Sequence, residues 1–332
     1  MQRDNSSFPS ARSRRLRKNS QMRKLVSENR LDVSDLIWPI FVCEGNNIKE
    51  PVLSMDDVYR LSIDNLIKEA QNAYALGITC VALFPSINPN LKTIDCREAI
   101  NPENLINTAT KALKNECPDL LIMLDVALDP FNASGHDGIL HGDKILNDET
   151  VDILAEQALI QARSGADILG PSDMMDGSVK RIRDLLEKEG FIDTSIMSYS
   201  AKYASNLYAP FRSALKAKSK LIGDKKTYQM DPSNSDEAMR NTYRDLNEGA
   251  DMVLIKPGAP YLDICYRIKT SFGVPTFAYQ VSGEYSMIMG AVKNGWINED
   301  EAIMESMKCF KRAGCDGIVT YFAKKAAIIL KK

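Results

Sequence analysis

Eight times along its length this chain runs a short apolar stretch and then a longer one with apolar residues at helical spacing. The apolar runs fall at residues 36–42, 80–85, 120–126, 166–172, 195–202, 252–256, 275–281 and 317–321. The helical patterns lie at 54–76, 101–115, 150–164, 178–189, 231–247, 261–271, 288–294 and 299–313, with a short helix at the end. Gly77, Gly165, Gly190, Gly249 and Gly273 stand where helix C-caps belong. Runs that are apolar rather than alternating belong to strands buried on both faces, as in a parallel sheet. The alternation therefore predicts an α/β chain: one (β/α)8 TIM barrel over residues 35–332, preceded by an extended N-terminal arm at 1–34. An open doubly wound sheet is the alternative, but no Gly-x-Gly-x-x-Gly or Walker loop follows the first strand.

Composition narrows the function classes. The net charge of -2 gives no whole-chain field for nucleic acid or for an acidic substrate. No apolar run approaches the roughly 20 residues of a membrane span, so no membrane partner is expected. Seven scattered cysteines, none as Cys-x-x-Cys, fit reduced thiols in a cytoplasmic setting. The first 24 residues carry eight basic side chains against one acid, Asp4. Three readings stay open for that stretch: an arm that docks on a neighbouring subunit, an organellar import peptide, or a nucleic-acid arm. Base-stacking aromatics are nearly absent from it, which favours the subunit arm over nucleic acid.

Two of the strands end in lysine. Residues 252–256 run through four apolar side chains into Lys256, and Pro257–Gly258 then stop the strand. Residues 195–202 end in Lys202. Chemistry in parallel α/β folds sits at the carboxyl ends of strands. A lysine there is either a salt-bridged structural residue or an amine depressed in pKa by burial and neighbouring cations. Two such lysines in consecutive units point to one site holding two amines. The other strand ends add Asp125, Ser172, Ser282 and Tyr321, and Arg212, Lys225 and Gln229 lie in or beside a long connection at 203–226. These groups suit Schiff-base formation with a carbonyl compound and the holding of carboxylates. Tyr199 is expected on the Lys202 side of its strand, to orient groups or relay protons.

Tyr199–Ser200–Ala201–Lys202–Tyr203–Ala204–Ser205 and Val253–Leu254–Ile255–Lys256–Pro257–Gly258 resemble the two Schiff-base motifs of the porphobilinogen synthase (5-aminolevulinate dehydratase) family. Arg14–Arg15–Leu16–Arg17, Pro171–Ser172–Asp173–Met174–Met175–Asp176–Gly177, Tyr228–Gln229–Met230–Asp231–Pro232 and Tyr279–Gln280–Val281–Ser282–Gly283–Glu284–Tyr285 match in the same order. The resemblance implies a lyase of tetrapyrrole synthesis. Two 5-aminolevulinate molecules per site would condense to porphobilinogen through imines on Lys202 and Lys256, with no organic cofactor. It further implies that Ser282 and Tyr321 hold one carboxylate, and that Arg212, Lys225 and Gln229 hold the other from a lid. Asp125 and Ser172 would sit by the free amino group.

The resemblance also sets expectations for metals and assembly. Where zinc-dependent members carry three cysteines, this chain has Ala127, Asp129 and Asp137, so cysteine-bound zinc is not expected. Asp129 and Asp137 are oxygen donors suited to Mg²⁺ or a monovalent cation, or to no metal. His136 and His141 are expected to be surface or loop residues. The family's allosteric Mg²⁺ glutamate falls at Asn241, with Glu237 one turn earlier as a substitute. The family assembles as homo-octamers with the arm wrapped on a neighbour. A single-imine sugar aldolase is the competing reading for the lysines.

Overall fold

The computed structural model describes residues 7–215, 221 and 223–332. Residues 216–220 and 222, within the long connection, lie outside the described residues. Eight strands make the frame: β1 (Leu36–Cys43), β2 (Cys80–Ser86), β3 (Leu121–Val126), β4 (Ile168–Pro171), β5 (Ser195–Lys202), β6 (Met252–Lys256), β7 (Thr276–Gln280) and β8 (Gly317–Thr320). Each pairs in parallel with the next, and β1 pairs with β8 through Leu36↔Ile318 and Ile37↔Val319. The sheet is thus closed, which removes the open-sheet alternative. Its interior is filled, not hollow: Phe41, Phe84, Met197, Tyr199 and Tyr279 are all buried. Full burial of one such side chain is worth roughly 1.5–3 kcal/mol, so the packed interior is a main source of stability.

The helices begin where their caps allow. Apolar residues at 52, 55, 58 and 61 mimic a helical face, yet the helix runs only Ile63–Ala75. Those residues instead belong to an antiparallel ribbon, Lys49–Pro51 with Tyr59–Leu61, and the turn that joins its strands. Val52, Met55 and Leu61 are buried there, so a compact turn can satisfy the same three-residue spacing. A second helix starts earlier than its apolar pattern, at Ser282 instead of 288, and runs to Lys293. Its Glu284 carboxylate accepts the Val281 N–H at 2.8 Å, capping the first turn.

One irregularity matters for chemistry. β6 pairs with β5 as Met252↔Met197 and Val253↔Ser198, then as Ile255↔Ala201 and Lys256↔Lys202. β5 therefore carries one extra residue in a bulge. Tyr199 lies three residues before Lys202, so regular alternation would point the two to opposite faces. The expectation that alternation alone sets them together needs correction. The bulge does it, and it also puts Lys202 directly across from Lys256. Gly170 on β4 leaves the room needed, since a Cβ there would come within 3.0 Å of the Tyr199 ring.

The arm holds a short turn at Ser13–Arg17 and a helix at Ser20–Leu25 with no buried residue. Phe8, Leu16 and Leu25 stand more than half exposed. Leu31 and Val33 pack on the barrel, and Asp35 pairs with Lys311 at 3.1 Å. Among the described residues no helix is long and apolar enough to cross a membrane.

Candidate active site

The strand ends surround a cavity of about 200 Å³, small enough for metabolites and too small for a macromolecule. Lys202, Lys256, Asp125, Ser172, Ser282, Tyr321, Arg212, Lys225 and Gln229, all singled out in the sequence, line it. Asp129 and Asp137 line it too. Tyr199 does not; its ring lies 5.1 Å from the Lys256 Nζ and forms the floor beneath that amine. Its hydroxyl is buried with no hydrogen-bond partner among the described residues.

The two lysines face each other across paired strands that lie about 4.8 Å apart. Their surroundings differ. Lys202 Nζ donates to Asp137 Oδ1 at 3.1 Å and to the Ser172 carbonyl. Lys256 Nζ has no hydrogen-bond acceptor among the described residues. It is ringed by Tyr279, Tyr199, Phe211 and Tyr208 at 4.6, 5.1, 5.3 and 5.5 Å. Burial, and next the Lys202 charge, pull the Lys256 amine down to about 8, against the counter-pull of Asp125, Asp129 and Asp137. A useful fraction of this amine is therefore neutral near pH 7.

Asp137 is the hub opposite. It is buried, and its two oxygens take Lys202, Lys225 at 2.6 Å and the Tyr228 hydroxyl at 3.0 Å. Burial alone would raise this carboxyl, but the two lysines hold it well below the usual carboxylate range. Asp129 reaches Lys225 at 3.5 Å. His136 is a loop residue, as expected, and is buried there, with Nδ1 3.0 Å from the Tyr228 hydroxyl. His141 is exposed, as expected. Asp125 is pushed up to about 6, by burial first, with Lys256 and Lys202 pulling the other way. One of its oxygens, Oδ1, is enclosed without a hydrogen-bond partner among the described residues, which leaves an acceptor for a cationic ligand group.

The long connection is more ordered at its start than its sequence indicates. A turn at Asn206–Tyr208 leads into a helix at Ala209–Ala214. Ser282 Oγ accepts the Phe211 N–H at 3.0 Å and donates to the Leu207 carbonyl at 3.3 Å, so this segment is latched to the end of β7. Tyr208, Phe211, Tyr279 and Lys92 also line the cavity and were not singled out from sequence. Lys92, whose amine burial pulls down, follows β2 in a turn with no apolar pattern to flag it.

Glu237 and Asn241 lie away from this cavity, in a second one that Asp176 and Arg244 share. The Glu237 carboxylate accepts from Asn234 Nδ2 at 2.7 Å, and Arg244 holds Asp176 at 2.7 Å.

Residues 10–329 match the family model described as delta-aminolevulinic acid dehydratase. The chain belongs to that family. The delta-aminolevulinic acid dehydratase of Bradyrhizobium diazoefficiens is 54% identical to it over 95% of this chain and 90% of that one. The Rhodobacter capsulatus member is 51% identical over 97% of each. A crystal structure of the Toxoplasma gondii family member, in complex with the reaction product porphobilinogen, superposes with a TM-score of 0.93. That chain is 48% identical, with 96% of this chain and 91% of that one covered. The fold expected of the family is thus the fold present.

Proposed function

We propose that this chain is a porphobilinogen synthase, joining two 5-aminolevulinate molecules into porphobilinogen with loss of two waters. The observation that carries the reading is the pair of lysines in adjacent register at one cavity, with the Lys256 amine making no ion pair among the described residues. The neutral Lys256 amine adds to the ketone of one substrate, and the adduct loses water to give an imine. Lys202, beside Asp137, does the same with the second ketone. An imine draws electrons from its neighbours better than a ketone does. Carbon–carbon bond formation and attack by a substrate amine then proceed at these carbons. Each lysine departs as an amine, so the two waters are those lost when the imines formed.

The remaining residues bind and orient. Ser282 and Tyr321 take the carboxylate on the Lys256 side, with the Tyr279 hydroxyl 3.1 Å from that of Tyr321. Arg212, Lys225 and Gln229 take the other, and Lys92 adds a fourth polar group at the same cavity. Asp125 and Ser172 receive the amino group that stays free. Tyr199 supplies the aromatic floor under Lys256, part of the burial that lowers the pKa of its amine.

No step is assigned to a metal. Asp129 and Asp137 converge on the Lys225 ammonium, which fills the position a Mg²⁺ or monovalent cation would need. In the second cavity the Glu237 carboxylate accepts from the Asn234 amide and Asp176 is paired with Arg244, and no step is assigned to a cation there. We further propose a cytoplasmic homo-octamer whose arm, residues 1–34, lies on a neighbouring subunit. The test is direct: purified protein given 5-aminolevulinate produces a pyrrole that Ehrlich reagent colours, and phenanthroline does not stop it. No colour contradicts the activity; inhibition reversed by Zn²⁺ contradicts the metal assignment.

A further inference from the structure

We infer that the Tyr208 hydroxyl is a positioning group that sets the two lysines in register and ties that register to the lid. The inference rests on the imine reading above. Tyr208 closes the short turn Asn206–Tyr208, directly before the lid helix Ala209–Ala214. Its hydroxyl donates to two backbone carbonyls at once, Tyr203 O at 2.7 Å and Lys256 O at 3.1 Å. Lys256 O also accepts the Tyr203 N–H at 2.9 Å. Tyr203 directly follows Lys202. One hydroxyl therefore bridges the backbone at the ends of the two strands that carry the reactive amines, just beyond the bulge in β5.

This bond is placed to act through other groups. With its proton directed at two carbonyls and the phenol held in its neutral form by burial, Tyr208 is not free to serve as an acid or base. Its ring packs 5.5 Å from Lys256 Nζ, which a phenylalanine would reproduce. What the hydroxyl alone supplies is the cross-strand tie. The lid side of the tie is equally tight. Leu207, the preceding residue, lies against Gly283, where a Cβ would come within 2.6 Å of the Leu207 carbonyl. Ser282 Oγ bonds the backbone of Leu207 and Phe211 on either side of Tyr208. Docking of the lid on β7 and spacing of the two lysines thus share one short segment.

A single imine needs only one lysine; ring closure needs both at the right separation. The hydroxyl matters to the second requirement. The experiment compares wild type, Tyr208→Phe and Tyr285→Phe. Tyr285 is a control of matched chemistry, since its buried hydroxyl also donates to a backbone carbonyl, that of Asp56, away from the lysines. Each protein is given saturating 5-aminolevulinate and borohydride, and intact mass counts chains with one and two reduced adducts. For Tyr208→Phe we expect single adducts at the wild-type level, loss of most double adducts, and a kcat lower by about 10- to 100-fold. Tyr285→Phe should keep the wild-type ratio. Wild-type double adducts and kcat in Tyr208→Phe, or an equal loss in both variants, would overturn the inference. Absence of any adduct in wild type would instead strike down the imine reading itself.

Discussion

Lys256 and Lys202 are the same residue type in adjacent register, yet the chain gives them opposite electrostatics. Lys202 has a carboxylate and a carbonyl; Lys256 has four aromatic faces and a like charge. Neutral lysine is the form that reacts. With its pKa lowered to about 8, Lys256 in the free protein should gain reactivity as pH rises and level off above about 8. An ordinary lysine would keep gaining to about 10.4. Measuring the labelling rate of Lys256 by an amine-reactive ester between pH 6 and 11, with peptide mapping, checks this. A limb near 10.4 would contradict the burial argument. The strand-end placement of Lys256 was legible, because four apolar residues run straight into its charge and Pro257–Gly258 stop the strand; Lys202, behind Ser198–Tyr199–Ser200–Ala201, was read from the position of its segment in the β/α alternation. The difference in their surroundings was not. Asp137 is 65 residues from Lys202 in sequence, and nothing local announces the pair.

At the scale of elements, two departures from simple patterning build the site. The β5 bulge depends on how β6 pairs with it, so the orientation of Tyr199 could not be read from alternation along one strand. The loop after β3 carries Asp137 across to β5 and to the base of the lid, through Lys202 and Lys225. That loop is pinned by these ion pairs and by the buried side chains of Leu128 and Phe131. Asp137→Asn leaves two buried ammonium groups facing a neutral amide, and removing one partner of a buried pair costs about 3–5 kcal/mol. Because the folded carboxyl is held below its ordinary pKa, the stabilisation it gives is present above about pH 4 and is lost as pH falls. Chemical denaturation at pH 7 should therefore show Asp137→Asn clearly destabilised, with the gap narrowing in acid. Equal stability at pH 7 would remove the hub role. Helix starts were the least legible part. A buried turn at 52–58 copies helical spacing, and a Ser-Gly-Glu start reads as a loop until Glu284 is seen capping it.

For the whole molecule, eight apolar runs alternating with helices predicted a barrel with an open sheet as the alternative, and the pairing of β1 with β8 closes it and brings all eight strand ends to one mouth. The arm stands apart from this economy. Its turn and helix bury no residue, and Phe8, Leu16 and Leu25 stand exposed, which is costly unless another surface covers them. Deleting residues 1–29, which spares Leu31 and Val33 on the barrel, should shrink the particle seen by light scattering from an octamer to a smaller species. An unchanged mass would contradict the arm's role in assembly.

The central claim is that both amines engage substrate in one cavity. Borohydride reduction with 5-aminolevulinate, followed by peptide mapping, tests it most directly. Low substrate should label Lys256, and saturating substrate should label Lys256 and Lys202 in the same chain. Labelling confined to one lysine at every concentration, or found on neither, would contradict the account.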